Sequence, residues 1–205
     1  MKSAAAFKVL IASALLAAAC HAARESADAG DTSAPAAKSV VADKPFVAAG
    51  TITMELDGGL YIVRATADNH IRVALTGNTG NATTDLTAGA TAATVQVKDT
   101  PRNFHATIEV PPVADLVVHF KGGELVMEPI TGNKDVQSYG GEIKIGIGSP
   151  DEYSSVDASV KVGEIDASAF GGSNSGLLPH FTWSGKGKYT LRANLAAGSL
   201  ALRSK

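Results

Sequence analysis

Five histidines, at positions 21, 70, 105, 119 and 180, are the side chains best suited to move a proton or hold a metal near neutral pH. None has another histidine two or four residues away, the spacing that presents two imidazoles on one face, and HExxH does not occur. His105 and His119 flank neighbouring predicted strands and are the pair that could meet across a ladder; two half-exposed strand residues is the plainer reading. A hydrolase nucleophile would need the strained G-x-S-x-G elbow, which is missing. Gly185-Lys186-Gly187-Lys188 sets lysines between glycines as a phosphate loop does. It lacks the upstream glycine and the following Ser/Thr, so it reads as a hairpin turn. Gly171-Gly172-Ser173-Asn174-Ser175-Gly176 reads as a flexible loop, without the aspartates of a calcium-binding nonapeptide.

Two groups remain. Glu124, Glu142, Glu164 and Asp166 could stack as a carboxylate ladder along one face, and a solvated face is the expectation. Phe181, Trp183 and Tyr189 gather near the C-terminus of a chain only 5% aromatic. They form either a platform for a ligand or a cap over the open end of a stack, whose bare strand edges would otherwise invite aggregation. The residues thus supply no catalytic set, no metal ligands and no cofactor site, and a non-enzymatic protein is expected.

The elements that must carry these residues begin after a leader. Lys2 and Lys8 give a positive n-region, and Val9–Ala19 is apolar apart from Ser13, the length of a signal-peptide core and too short to span a bilayer. Ala17 and Ala19 fit an A-x-A cleavage site. Cys20, the one cysteine of the chain, follows directly and resembles the lipidated cysteine of a bacterial lipobox. The match departs at Ala17, where the strongest lipoboxes carry leucine. Acyl chains on Cys20 would anchor the protein, each buried CH₂ contributing about 0.8 kcal/mol. Residues 1–19 are therefore expected to be a signal peptide. Residues 20–45, Ala-, Ser- and Asp-rich with no aromatic, should be a disordered tether, because such a stretch cannot offset its ordering entropy.

From residue 46 to 205 the expectation is an all-β repeat domain. Thr51–Leu56, His70–Leu75 and Thr94–Lys98 alternate polar and apolar residues, and further short alternating runs are punctuated by turns such as Asp57-Gly58-Gly59, Pro111-Pro112 and Gly148-Ser149-Pro150. No capped 3.6-residue stripe interrupts them. Gly123-Glu124-Leu125, Gly141-Glu142-Ile143, Gly163-Glu164-Ile165 and Gly198-Ser199-Leu200 share one grammar: a turning glycine, a polar residue facing water, then inward aliphatics. That repeat predicts a single-stack β-solenoid in which each coil stacks on the previous one, with a β-sandwich as the alternative.

Ala106–Pro111, Asp115-Leu116-Val117-Val118, Gly122-Gly123-Glu124-Leu125-Val126, the Ile130-Thr131-Gly132 link and the Gly141-Glu142-Ile143 rung together resemble the bacterial putative-adhesin β-repeat family (toastrack-like). Phe181–Gly185 and Gly187–Leu191 resemble its closing rungs, so the likeness covers about residues 50–203. The resemblance implies an extracytoplasmic, mostly non-enzymatic scaffold and carries no catalytic residues with it. With 18 basic and 20 acidic residues the chain lacks the basic face that nucleic acid requires. The expectation is a cell-envelope structural or interaction lipoprotein in the periplasm, at the outer membrane or on the cell surface. Its partners would be the membrane, through lipid, and an envelope protein or polysaccharide. An envelope-stress or ligand-sensing binding module and a polysaccharide-active enzyme are the competing readings, and a soluble periplasmic or secreted location is the alternative to the anchored one.

Overall fold

The computed structural model describes residues 39–204; the leader, Cys20 and the stretch 21–38 lie outside the described residues. Alternating sequence gives fifteen strands: Ser39–Pro45 (β1), Thr51–Leu56 (β2), Gly59–Ala65 (β3), His70–Gly77 (β4), Thr83–Ala88 (β5), Ala92–Lys98 (β6), Phe104–Val110 (β7), Asp115–Phe120 (β8), Gly123–Met127 (β9), Lys134–Ser138 (β10), Gly141–Ile147 (β11), Tyr153–Ala167 (β12), Gly172–Leu177 (β13), His180–Ser184 (β14) and Tyr189–Ser204 (β15). Only two short 3-10 turns, Pro150–Glu152 and Ser168–Phe170, join them among the described residues. No described helix is long and apolar enough to cross a membrane.

The pairings form two ribbons. In the first, β6, β2, β8, β10, β15 and β12 run parallel and in register, with β5 and β14 antiparallel at the two ends. In the second, β7, β3, β9, β11, β15 and β12 do the same, bounded by β4 and β13. A short corner carries the chain from one ribbon to the other in each coil, and β12 and β15 are long enough to pass through it unbroken. The fold is all-β and satisfies both forms expected of it: coils stacked as in a solenoid, and two ribbons enclosing one core as in a sandwich.

The stacking order corrects the expectation that each coil lies on the previous one. In space the coils run β6/β7, β2/β3, β8/β9, β10/β11, β15, β12. After β12 the chain folds back as β13 and β14 to close the end, then returns as β15 between β11 and β12. This detour is why the last glycine interval of the repeat is the longest. Residues 51–56 and 59–65 belong to the same stack as the rest.

Two further expectations are corrected. The boundary placed at residue 45 falls earlier, because Ser39–Pro45 pairs antiparallel with β4. Asp43 there bonds His70 at 2.6 Å and Arg72 at 3.0 Å, side-chain contacts added to the backbone ladder that holds this otherwise exposed edge. The Gly/Ser-rich run assigned to a loop is β13, held by a backbone ladder to β12 that needs nothing from its side chains.

Period-2 alternation buries one face of every central strand. Ile52, Met54 and Leu56 of β2, Leu116, Val118 and Phe120 of β8, and Ile143, Ile145 and Ile147 of β11 all enter a single core. Each such side chain contributes about 1.5–3 kcal/mol. Tyr61 packs between Phe104 and Phe120, ring centroids 5.7 and 5.6 Å away. The repeat glycines explain themselves here. Gly59, Gly123, Gly141, Gly198 and Gly163 form one column at the corner. At Gly141, with φ +113°, a Cβ would stand 2.1 Å from the Gly123 carbonyl oxygen, so no other residue fits without moving the coils apart.

Candidate functional site

Along the corner where the first ribbon turns into the second lies an open groove of about 790 Å³. One register row forms its floor. Glu55 of β2, His119 of β8, Gln137 of β10, Asn194 of β15 and Ser159 of β12 are neighbours on successive parallel strands. They point outward because the alternation that buries Leu56, Phe120 and Leu195 sends the preceding residue to the other face. At 4.7–4.9 Å per strand, the five side chains span roughly 19 Å across the strands. The corner residues supply the rim: Asp57, Lys98, Asp99, Lys121, Tyr139 and Lys161.

The groups are held in place at both ends of the row and open in the middle. His119 Nδ1 lies 2.6 Å from Glu55 Oε1, and Ser159 Oγ donates to Asn194 Oδ1 at 2.6 Å. Lys121 Nζ lies 2.6 Å from Asp57 Oδ1, and the Asp99 amide donates to Asp57 Oδ2 at 3.0 Å. Burial pushes the Asp57 carboxyl upward, yet the bonds from Lys121 and the Asp99 amide outweigh it and hold it below its ordinary range. The same pair raises Lys121 above a free lysine. Between these anchored ends, Gln137 and the ring of Tyr139 face solvent, Tyr139 with 78% of its surface exposed. Such a row offers paired donors and acceptors to a long ligand, one set per coil.

The residues singled out by sequence fall elsewhere. His105 sits on β7 of the second ribbon, beside Leu60 and Thr76, whereas His119 is on β8 of the first; the two do not meet. Glu124 and Glu142 are register partners, followed by Ser199 and Glu164, so the carboxylate ladder exists as a row. Lys144 Nζ bridges it, 2.8 Å from Glu142 and 2.9 Å from Glu124, and those bonds raise its pKa. Asp166 bonds Arg203 instead, at 2.9 Å. Among the described residues no group of three or more His, Cys, Asp or Glu is arranged to hold a metal.

Phe181 and Trp183 are on β14 at the end of the stack and turn toward the core; Trp183 lies 5.0 Å from Phe170, which meets Tyr153 edge-on at 5.8 Å. Tyr189 opens β15, half-buried, with Lys188 Nζ 5.4 Å above its ring. None of the three lines the groove. Gly185-Lys186-Gly187 is the turn from β14 to β15, and the Gly185 and Gly187 amides donate to Ser154 and Tyr153 carbonyls at 3.0 Å.

The groove row escaped sequence reading although a signal for it was present. Each member lies four residues before a column glycine: Glu55 before Gly59, His119 before Gly123, Gln137 before Gly141, Ser159 before Gly163, Asn194 before Gly198.

The fold and site define an all-β protein of stacked coils with a polar groove along one corner. No protein-family model matches the chain, and no curated protein matches it. Among solved structures, 82% of the chain is similar to all of a putative cell adhesion protein from Clostridium sporogenes ATCC 15579, at 12% identity and a TM-score of 0.49. The same share is similar to 98% of a putative adhesin from Bacteroides fragilis NCTC 9343, at 10% identity and a TM-score of 0.24. At these scores the likeness assigns no role to the chain.

Proposed function

We propose that the protein is a non-enzymatic binding module of the cell envelope, exported by its leader, held to a membrane through lipid on Cys20, and contacting an envelope component through the corner groove. The observation that carries this reading is the floor of that groove. Five side chains from five coils stand in one row on parallel strands, whose backbone bonds fix their spacing before any partner arrives. A row preorganised in this way favours holding an extended partner, since little ordering cost remains at binding. The leader and the cysteine after it support export and anchoring.

The test is cosedimentation of the mature protein with purified envelope fragments, beside a Gln137→Ala/Asn194→Ala variant, together with fractionation of the producing cells. The expected result is a membrane-associated protein that sediments with the fragments and loses this when the two amides are removed. A cytosolic protein that retains Met1, or sedimentation indifferent to both substitutions, would overturn the reading.

A further inference from the structure

Resting on that reading, we propose that the groove binds a linear, uncharged polysaccharide chain laid across the strands, about one sugar ring to each coil. Four features of the site select this ligand class.

The first is spacing. The row repeats once per strand, every 4.7–4.9 Å. An extended peptide advances about 3.3 Å per residue and returns a side chain to the same side only at twice that distance, so it falls out of step with the row within two coils. A β-1,4-linked chain of pyranose rings advances by close to one strand spacing per ring and inverts at each ring, so it stays near register with the row and turns the same face to every second coil.

The second is charge. The groove is lined by three carboxylates, Glu55, Asp57 and Asp99, and by three lysines, Lys98, Lys121 and Lys161. Glu55 and Asp57 are already engaged by His119 and Lys121. A strongly anionic or cationic polymer would meet as much repulsion as attraction along this length, whereas a neutral chain meets neither.

The third is the kind of hydrogen bond on offer. The strands beneath the row pair on both sides, so their backbone amides and carbonyls are spent in the ladder and cannot take up an added strand. Recognition is left to the side chains. Gln137, whose Nε2 makes only a long 3.4 Å bond to Asp135, keeps its carbonyl and a second N–H for a ligand, and Asn194, whose Oδ1 accepts from Ser159, keeps its amide N–H groups and a second lone pair. Vicinal hydroxyls, which both donate and accept, match such groups better than any singly polar ligand.

The fourth is Tyr139. It directly follows the strand that bears Gln137 and exposes an aromatic ring at the rim of an otherwise polar groove. Its amide is tied to the Phe120 carbonyl at 3.3 Å, so the backbone under the ring is fixed. An exposed ring on a fixed backbone is a platform on which the apolar C–H face of a sugar can stack.

The experiment is calorimetric titration of the full mature chain with cellopentaose and with chitopentaose, beside glucose and N-acetylglucosamine. At least one pentasaccharide is expected to bind, and about tenfold or more tighter than its monosaccharide, because successive rings engage successive coils. Tyr139→Ala and the Gln137→Ala/Asn194→Ala pair should each weaken it by about tenfold, with melting temperatures close to the parent's since these side chains point outward. Trp183→Ala, on β14 and outside the groove lining, should leave the affinity unchanged. Binding by neither pentasaccharide, or binding that ignores the groove substitutions, overturns the ligand class. Loss of pentasaccharide binding alongside groove-dependent sedimentation with envelope fragments would remove this inference and leave the envelope-module reading standing. Pentasaccharide binding by a protein found in the cytosol would do the reverse.

Discussion

Lys134 is the one charged residue buried among the described core, 2% exposed, on the inward side of β10. Its ammonium donates to the Ile130 carbonyl at 2.5 Å, the Gly132 carbonyl at 3.3 Å and the Tyr153 hydroxyl at 2.8 Å, so it ties the turn before β10 to the start of β12. All three acceptors are neutral. Burial therefore pulls its pKa from the ordinary 10.5 down to about 8, and the carboxylates of Glu152 and Asp115 offset only part of that pull. A lysine that holds its proton less tightly when folded costs stability wherever both states are charged, here below about pH 8. Between pH 8 and 10.5 the unfolded chain binds more protons than the folded one, so stability rises with pH. At about 1.4 kcal/mol per unit the full rise is about 3 kcal/mol, of which about 2 falls between roughly pH 7.5 and 9.7. The assay is urea unfolding of the mature chain and of Lys134→Met across that range, compared by difference. Subtraction cancels the outward lysines Lys121 and Lys144, and stopping below pH 10 avoids Tyr61 and Tyr153, whose hydroxyls burial pushes up. Wild type should gain about 2 kcal/mol on the variant. A flat or falling difference would refute the reasoning, because it would mean the buried amine keeps its proton as firmly as a free lysine.

Three other outcomes follow from the same structure. Gly141→Ala places a Cβ against the Gly123 carbonyl at a positive φ and should cost about 3 kcal/mol or more, read as a lower urea midpoint; Gly171→Ala, with no atom within 4 Å of its Cβ, should cost only about 1 kcal/mol. Trp183→Ala strips the half-buried ring that covers Phe170 at the end of the stack, and should lower stability by about 2 kcal/mol in the same measurement. Intact mass of the membrane-extracted protein should show a diacyl- or triacyl-glyceryl addition that Cys20→Ala abolishes; an unmodified mass beginning near Cys20 or His21 in the soluble fraction would remove the anchor.

The strands with alternation were legible because burial of one face leaves a period-2 trace: Thr51–Leu56, His70–Leu75 and Thr94–Lys98 all lie within observed strands. Strands that bury little left none. β1 and β13 are exposed along almost their whole length and exist through backbone pairing with β4 and β12, which side-chain composition does not record. The burial of Lys134 leaves no trace in the sequence, since a lysine opening a strand ordinarily faces solvent and its three acceptors are brought to it by the fold.

The all-β class, the corner glycines and the alternation were legible in the sequence, because each is set by local geometry or by neighbours a few residues apart. Tertiary structure alone decided the order of the coils, the return of β15 between β11 and β12, and the groove. The row Glu55, His119, Gln137, Asn194, Ser159 draws on residues separated by 18 to 64 positions, brought to adjacent strands by parallel pairing. Parallel strands need long connections, so neighbours in space are distant in sequence, and no local pattern ranks one register or coil order above another. The core and the corner glycines settle both together, and the site exists only once they have.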